Sequence, residues 1–293
     1  MAKKLFLIFF IIISADLFSQ DLHFREVCKV PLKINETSGI ETNGKNELWS
    51  FNDSGGDPEI YCFDTTGTMK RTIVLKNAVN IDWEEITQDD KGNFYLGDFG
   101  NNNNERKDLR IYKIPNPSNL FNDTVVAEVI KFSYPDQKEF PPSSENKNYD
   151  MEAFFAYNDS LYLFSKNRTE PYSGFLRVYS VPVIAGEYKA NLIDSIYFGS
   201  GPFFNDWITA ADISPDRTSF VLLSNNKFWL FKIKNGVPLT KWEHTEIFLP
   251  TISQKEGICY ISNDELLITD EVNKQLGGNL YYINIKDYLQ PGN

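Results

Sequence analysis

Three glutamates stand at matching positions of one repeated phrase: Glu84 in Trp83-Glu84-Glu85-Ile86, Glu152 in Met151-Glu152-Ala153-Phe154 and Glu256 in Lys255-Glu256-Gly257-Ile258. Two further copies, Thr37-Ser38-Gly39-Ile40 and Ala210-Ala211-Asp212-Ile213, place Ser38 and Ala211 there. After each copy comes a hydrophobic run that ends in polar residues: Asn52-Asp53, Gly97-Asp98, Lys166-Asn167-Arg168, Asn225-Asn226 and Asp270-Glu271. Carboxylates gathered on a narrow axis repel and raise one another's pKa unless a cation or basic group sits among them. Ca²⁺ suits such a place, because it accepts six to eight oxygen ligands in irregular geometry. The expected metal ligands are therefore Glu84, Glu152 and Glu256, with Asp53, Asp98, Lys166, Arg168, Asp270 and Glu271 around the same rim. Two alternatives stand beside this reading. A glutamate at the start of an inner strand can instead hydrogen-bond the neighbouring backbone and fix its register. Lys166 and Arg168 can also supply the compensating charge, and then no metal is needed.

The elements that must position these residues are short strands. The apolar anchors Ile40, Ile86, Phe154, Ile213 and Ile258 are spaced by 46, 68, 59 and 45 residues, close to the roughly 40 to 50 of a four-stranded propeller blade plus insertions. Two or three aromatic and β-branched runs follow each phrase, bounded by Asn, Asp, Gly and Pro. They predict strands at 47–51, 59–63 and 69–75 in the first unit, 93–96, 109–114 and 125–132 in the second, and 161–165, 175–181 and 191–198 in the third. The fourth unit offers 220–224, 227–233 and 243–249, but the fifth only 266–269 and 279–285. The spare strand His23 to Leu32 completes the last blade and removes the open edges of the ring. The expected fold is an all-β propeller of five four-stranded blades, or six if the two long steps hide another. The segment from Pro135 to Tyr149 reads as an inter-blade loop. Trp83 and Trp207, near the phrase, are expected to border a pocket, while the other tryptophans pack in the core.

Composition narrows the function. Of 293 residues, 29 are basic and 40 acidic, a formal charge of −11, which makes nucleic acid and anionic lipid poor partners. Lys3, Lys4 and the apolar run Leu5 to Ile13 read as a secretory signal over residues 1–19, with Leu17 and Ser19 at the cleavage positions. One propeller domain over 20–293 and a secreted or periplasmic monomer are expected. The apolar run is too short to span a bilayer, and no cysteine follows it, against an acylated lipoprotein. Cys28, Cys62 and Cys259 permit at most one disulfide and read as buried thiols. With His23 and His244 as the only histidines, a Cys/His zinc site has no support. GxSxG, Gly-rich phosphate-loop and HExxH motifs are absent.

Five pieces, Glu36 to Ile40, Asp82 to Ile86, Tyr149 to Ala153, Ala211 to Asp216 and Glu256 to Ile258, together with Leu96-Gly97-Asp98-Phe99-Gly100-Asn101-Asn102, resemble the SdiA-regulated propellers and the related esterase-like phytase propellers. The likeness spans nearly the whole chain after the leader. It implies a propeller with a metal near its axis. Phytase propellers hold several Ca²⁺ ions and a field of basic residues for phosphate, whereas this rim offers chiefly Lys166 and Arg168. The expected function is a Ca²⁺-containing module that binds a small-molecule, peptide or glycan ligand. The alternatives are a metal-dependent hydrolase of esters or phosphoesters and, further off, a glycosidase.

Overall fold

The computed structural model describes residues 23–289 apart from 45, 200, 239, 240 and 275; the signal segment expected over 1–19 lies outside the described residues. Five antiparallel four-stranded blades form a ring. From the axis outward, blade one runs Thr37–Thr42, Leu48–Asn52, Glu59–Phe63, Met69–Leu75, and blade two Trp83–Gln88, Phe94–Asp98, Arg110–Ile114, Glu128–Ser133. Blade three runs Asp150–Tyr157, Ser160–Lys166, Phe175–Pro182, Asn191–Tyr197, and blade four Ala210–Ile213, Ser219–Leu223, Lys227–Lys232, His244–Phe248. Blade five runs Lys255–Tyr260, Glu265–Asp270, Asn279–Asn284 and then His23–Lys29, so the first strand of the described chain closes the ring as the last blade's outer strand. No sixth blade occurs among the described residues. Two short parallel additions, Thr124–Val125 on blade one and Gly186–Lys189 on blade two, cover outer edges. The second of these comes from a loop of blade three and has no strand-like pattern in the sequence.

Each inner strand is buried on both faces, so alternate side chains feed the packing on either side. Phe154 packs with Tyr95, Phe99 and Ile111 of blade two, while its neighbour Phe155 packs with Ile213, Phe220 and Phe231 of blade four. Five such apolar clusters lie between the five pairs of neighbouring blades, the last joining Ile40 and Phe63 of blade one to Cys259 and Leu280 of blade five. Trp83 belongs to this packing. It is fully buried against Phe51 and Tyr112, because its place in the alternation faces blade one. The three cysteines are free.

The repeated phrase has a structural meaning: in four blades it is a β-bulge, one extra residue on the inner strand. Trp83 pairs with Asp98 and Glu85 with Gly97, leaving Glu84 unpaired. The same slip leaves Glu152 between Met151 and Ala153 and Glu256 between Lys255 and Gly257. A bulge bends the strand and re-aims the extra side chain. In blade one the slip falls at Gly39-Ile40, where Gly39 has φ +66 and a Cβ would lie 2.5 Å from Glu85 Oε1 and 2.7 Å from Ile86 N. Only glycine lets that strand approach blade two so closely. The inner strand of blade four, with Ala211 at this position, pairs without a slip.

Candidate functional site

The channel-facing edge of each inner strand has no ladder partner, so its N–H groups need other acceptors. A tier of buried acids supplies them. Thr42 N–H and the Gln88 amide donate to Glu41, at 2.7 and 2.9 Å. Ile86 N–H and, across the channel, Ala211 N–H donate to Glu85 at 2.9 and 3.0 Å. Ile213 N–H and Tyr260 N–H of the next blade donate to Asp212 at 2.8 and 2.7 Å. Burial pushes the Glu41 and Glu85 carboxyls well above the usual range and Asp212 up to about 7. These three residues tie the inner strands together toward one end of the channel, where Glu41 and Asp212 also line a pocket of about 370 Å³, and sequence reasoning singled out none of them for this role. The signal available was their place at the inner strand's unpaired edge, Glu85 and Asp212 third in their phrases and Glu41 directly after its own.

The other end opens into a cavity of about 280 Å³ on the axis, lined by the bulge residues Glu84, Glu152 and Glu256 together with Asp53, Lys166 and Arg168. Trp207, Phe204, Thr209, Asn102, Asn225 and Gln254 complete the wall. Two chemistries divide this mouth. On the blade-three side Glu152 meets cations: Lys166 Nζ lies 3.0 Å from Oε2 and Arg168 Nη2 3.3 Å from Oε1. Arg168 Nε also donates to Asp150 at 2.6 Å. Burial disfavours the Lys166 ammonium, but Glu152 and Glu256 outweigh it and hold that lysine above its ordinary pKa. Glu152 is thus a member of an ion-pair network, although burial, with Asp150 and Glu256, pushes its carboxyl above the usual range against the pull of Lys166 and Arg168. Trp207 stacks beneath it, with the Arg168 guanidinium 4.6 Å from its ring and its indole N–H donating to Asn167 O at 2.6 Å.

On the blade-two side no cation among the described residues comes within ion-pair distance of the Asp53, Asp82 and Glu84 carboxylates, although Lys166, Arg106 and Arg168 respectively act on them from further off. One oxygen each from Asp53, Asp82 and Glu84 lie within 4.8 Å of one another. Glu84 is only 5% exposed, and no donor among the described residues reaches its carboxylate. Burial, then Glu152, Asp53 and Asp82, push Glu84 well above the usual carboxyl range. Asp82 rises to about 7 through burial and the charges of Asp53 and Asp150. Burial also raises Asp53. Asp82 was not among the expected ligands, because it precedes the inner strand and looks like ordinary turn sequence.

One expected rim residue, Asp98, proves to be scaffold for this trio. Asp98 is fully buried, and its Oδ1 accepts from Arg106 at 2.9 Å and from Asp82 N–H at 3.2 Å. Arg106 also donates to Gly100 O at 2.8 Å, and Gly100 N–H to Asp82 O at 3.1 Å. Asp98 therefore fixes the Asp82 loop from below and does not line the cavity. Asn80 does the same for Asp53, donating to the carbonyls of Asn52 and Asp53 at 2.9 Å while accepting from Trp83 N–H at 3.2 Å. Asp270 is buried away from the mouth, taken by Asn279 N–H at 2.7 Å and Tyr281 OH at 3.0 Å. Glu271 lines a neighbouring groove and is pushed up to about 8 by burial and by Glu256 and Asp53. Glu256 itself, raised to about 7 mainly by burial, faces the cavity between the two halves.

Among the described residues, no helix is long and apolar enough to cross a membrane. No family model and no curated protein matches the chain. Among solved structures the chain is similar to the PQQ-bound aldose sugar dehydrogenase of Streptomyces coelicolor, at 8% identity and a TM-score of 0.50, over 90% of this chain and 98% of that one. It is also similar to a chain of a nidogen/laminin complex, at 10% identity and a TM-score of 0.46, over 81% of this chain and 73% of that one. At such identities the first likeness speaks for the propeller fold alone.

Proposed function

We propose that this propeller is a cation-dependent binding module whose axial mouth takes a small hydroxylated ligand. A hard divalent cation, Ca²⁺, is held by Asp53, Asp82 and Glu84, and its remaining coordination positions face the cavity. The observation that carries this reading is Glu84, 5% exposed and facing the cavity, whose carboxylate has no hydrogen-bond donor among the described residues yet stands beside two other carboxylates. A buried charge of that kind must be neutralised by a proton or matched by a cation. The donors are all oxygens, without His or Cys, and their irregular arrangement favours Ca²⁺ over the octahedral demands of Mg²⁺. Hydroxyl groups of a ligand would complete the coordination, with Asn102, Asn225 and Gln254 as further hydrogen-bonding groups. The Asn225 Oδ1 atom, buried and without a partner among the described residues, is available for that purpose.

Calorimetric titration of chelator-stripped protein with Ca²⁺ tests the reading. One binding event is expected, absent in Glu84→Gln and in Asp53→Asn. A wild-type chain that gives no heat, or variants that bind as well as wild type, refutes it.

A second reading rests on Glu256, whose carboxyl titrates near neutrality beside the same cavity. As a general base it would activate a cation-bound water against an ester or phosphoester. Turnover of chromogenic esters or phosphoesters that disappears in Glu256→Gln, while Ca²⁺ still binds, would establish this activity.

A further inference from the structure

The axial cavity shares part of its wall with a second one. Phe204 and Gln254 line it and also line an adjoining groove of about 770 Å³ between the blade-four and blade-five loops. The groove's apolar wall is Phe204, Ile252 and Leu276, which are 43%, 69% and 78% exposed. Apolar side chains gathered beside a polar mouth mark an interaction surface. At about 280 Å³ the axial cavity is itself smaller than the roughly 300 to 1,000 Å³ that enclose a typical small ligand. A ligand seated there extends outward, and the wall shared through Phe204 leads it onto apolar surface.

We propose that the ligand is an amphiphile, with a hydroxylated head in the axial cavity and an apolar arm along the groove lined by Phe204, Ile252 and Leu276. The head's place rests on the cation-dependent reading above, whereas the arm's place rests on the wall that the two cavities share at Phe204 and Gln254. At the groove's polar side Lys274 is exposed and Glu271 half-buried, while the apolar wall of Phe204, Ile252 and Leu276 favours an uncharged arm.

The test is titration of the calcium-loaded chain with vicinal alkanediols from propanediol to decanediol, kept below the concentrations at which they aggregate. The expected affinity rises with chain length by up to about fourfold per buried methylene, equivalent to about 0.8 kcal/mol, and levels off when the groove is filled. Leu276→Ser and Ile252→Ser, at exposed positions, should flatten that rise with unchanged melting temperature. Affinity independent of chain length, or a rise that survives both substitutions, overturns the proposal. So does a dimer in sedimentation that Leu276→Ser dissociates, because a second copy would then occupy the groove. A length dependence that persists after chelation keeps the arm's site and refutes the cation reading, while Ca²⁺ binding with no length dependence does the reverse.

Discussion

Gly100→Ala isolates the carboxylate trio with one methyl group. A Cβ at Gly100 would sit 2.0 Å from Glu84 Oε1 and 2.5 Å from both Cγ and Oδ2 of Asp82. Non-bonded heavy atoms settle at about 3.5 Å, so the two carboxylates must retreat by on the order of 1 Å. Ca²⁺ accepts oxygens only within about 2.3 to 2.6 Å, and a retreat of that size removes at least one of them as a ligand. The expected loss is roughly ten- to hundredfold in Ca²⁺ affinity, the scale on which misplacing a ligand acts, or about 1.4 to 2.8 kcal/mol. Gly100 has no positive φ that would strain an alanine, so the metal-free stability should fall only by the about 1 to 3 kcal/mol of overpacking. Calorimetry on chelator-stripped protein reads the first quantity and urea unfolding the second. An alanine variant that binds Ca²⁺ like wild type would show that Glu84 and Asp82 do not share a cation, and the cradle described above would be wrong.

Three other outcomes follow from the same geometry. Lys166→Met leaves Glu152 with Arg168 as its remaining cation and should destabilise the chain by about 3 to 5 kcal/mol in urea unfolding, with much of the loss recovered in the double variant Glu152→Gln/Lys166→Met. Asp212 has its carboxyl raised from 3.8 to about 7, chiefly by burial. The native state therefore keeps a proton that the unfolded chain has released. Its contribution is full below pH 3.8 and is lost as pH rises through 7, by at most about 4 kcal/mol. Unfolding at pH 5 and pH 8 should show about 2 to 3 kcal/mol of that loss in wild type and a smaller one in Asp212→Asn; equal losses would contradict the assignment. Deleting residues 23–29 removes the outer strand that pairs with Asn279–Asn284 and should abolish cooperative thermal unfolding, since blade five then presents an open edge.

The ring was readable from sequence because a propeller repeats its periods: the phrase returns at blade spacing, and the fifth unit's missing strand has one candidate, at the other end of the chain. The division of labour at the mouth was less readable. Glu84, Glu152 and Glu256 occupy the same position in the phrase and emerge from the same kind of bulge, yet their environments differ. What distinguishes them comes from second strands and loops: Lys166 and Arg168 end the strand beside Glu152, whereas Asp53 and Asp82 arrive beside Glu84 from two different blades. A sequence pattern records which strand a residue belongs to, and with it the alternation that sends Phe154 one way and Phe155 the other. It does not record which ends of neighbouring blades meet, nor that Glu85 reaches Ala211 across the channel, 126 residues away. Internal symmetry therefore gives equivalent backbone positions, and charge compensation from outside the repeat turns one of them into an ion pair and leaves another as an open carboxylate. The functional asymmetry of this mouth lies in the residues that do not repeat.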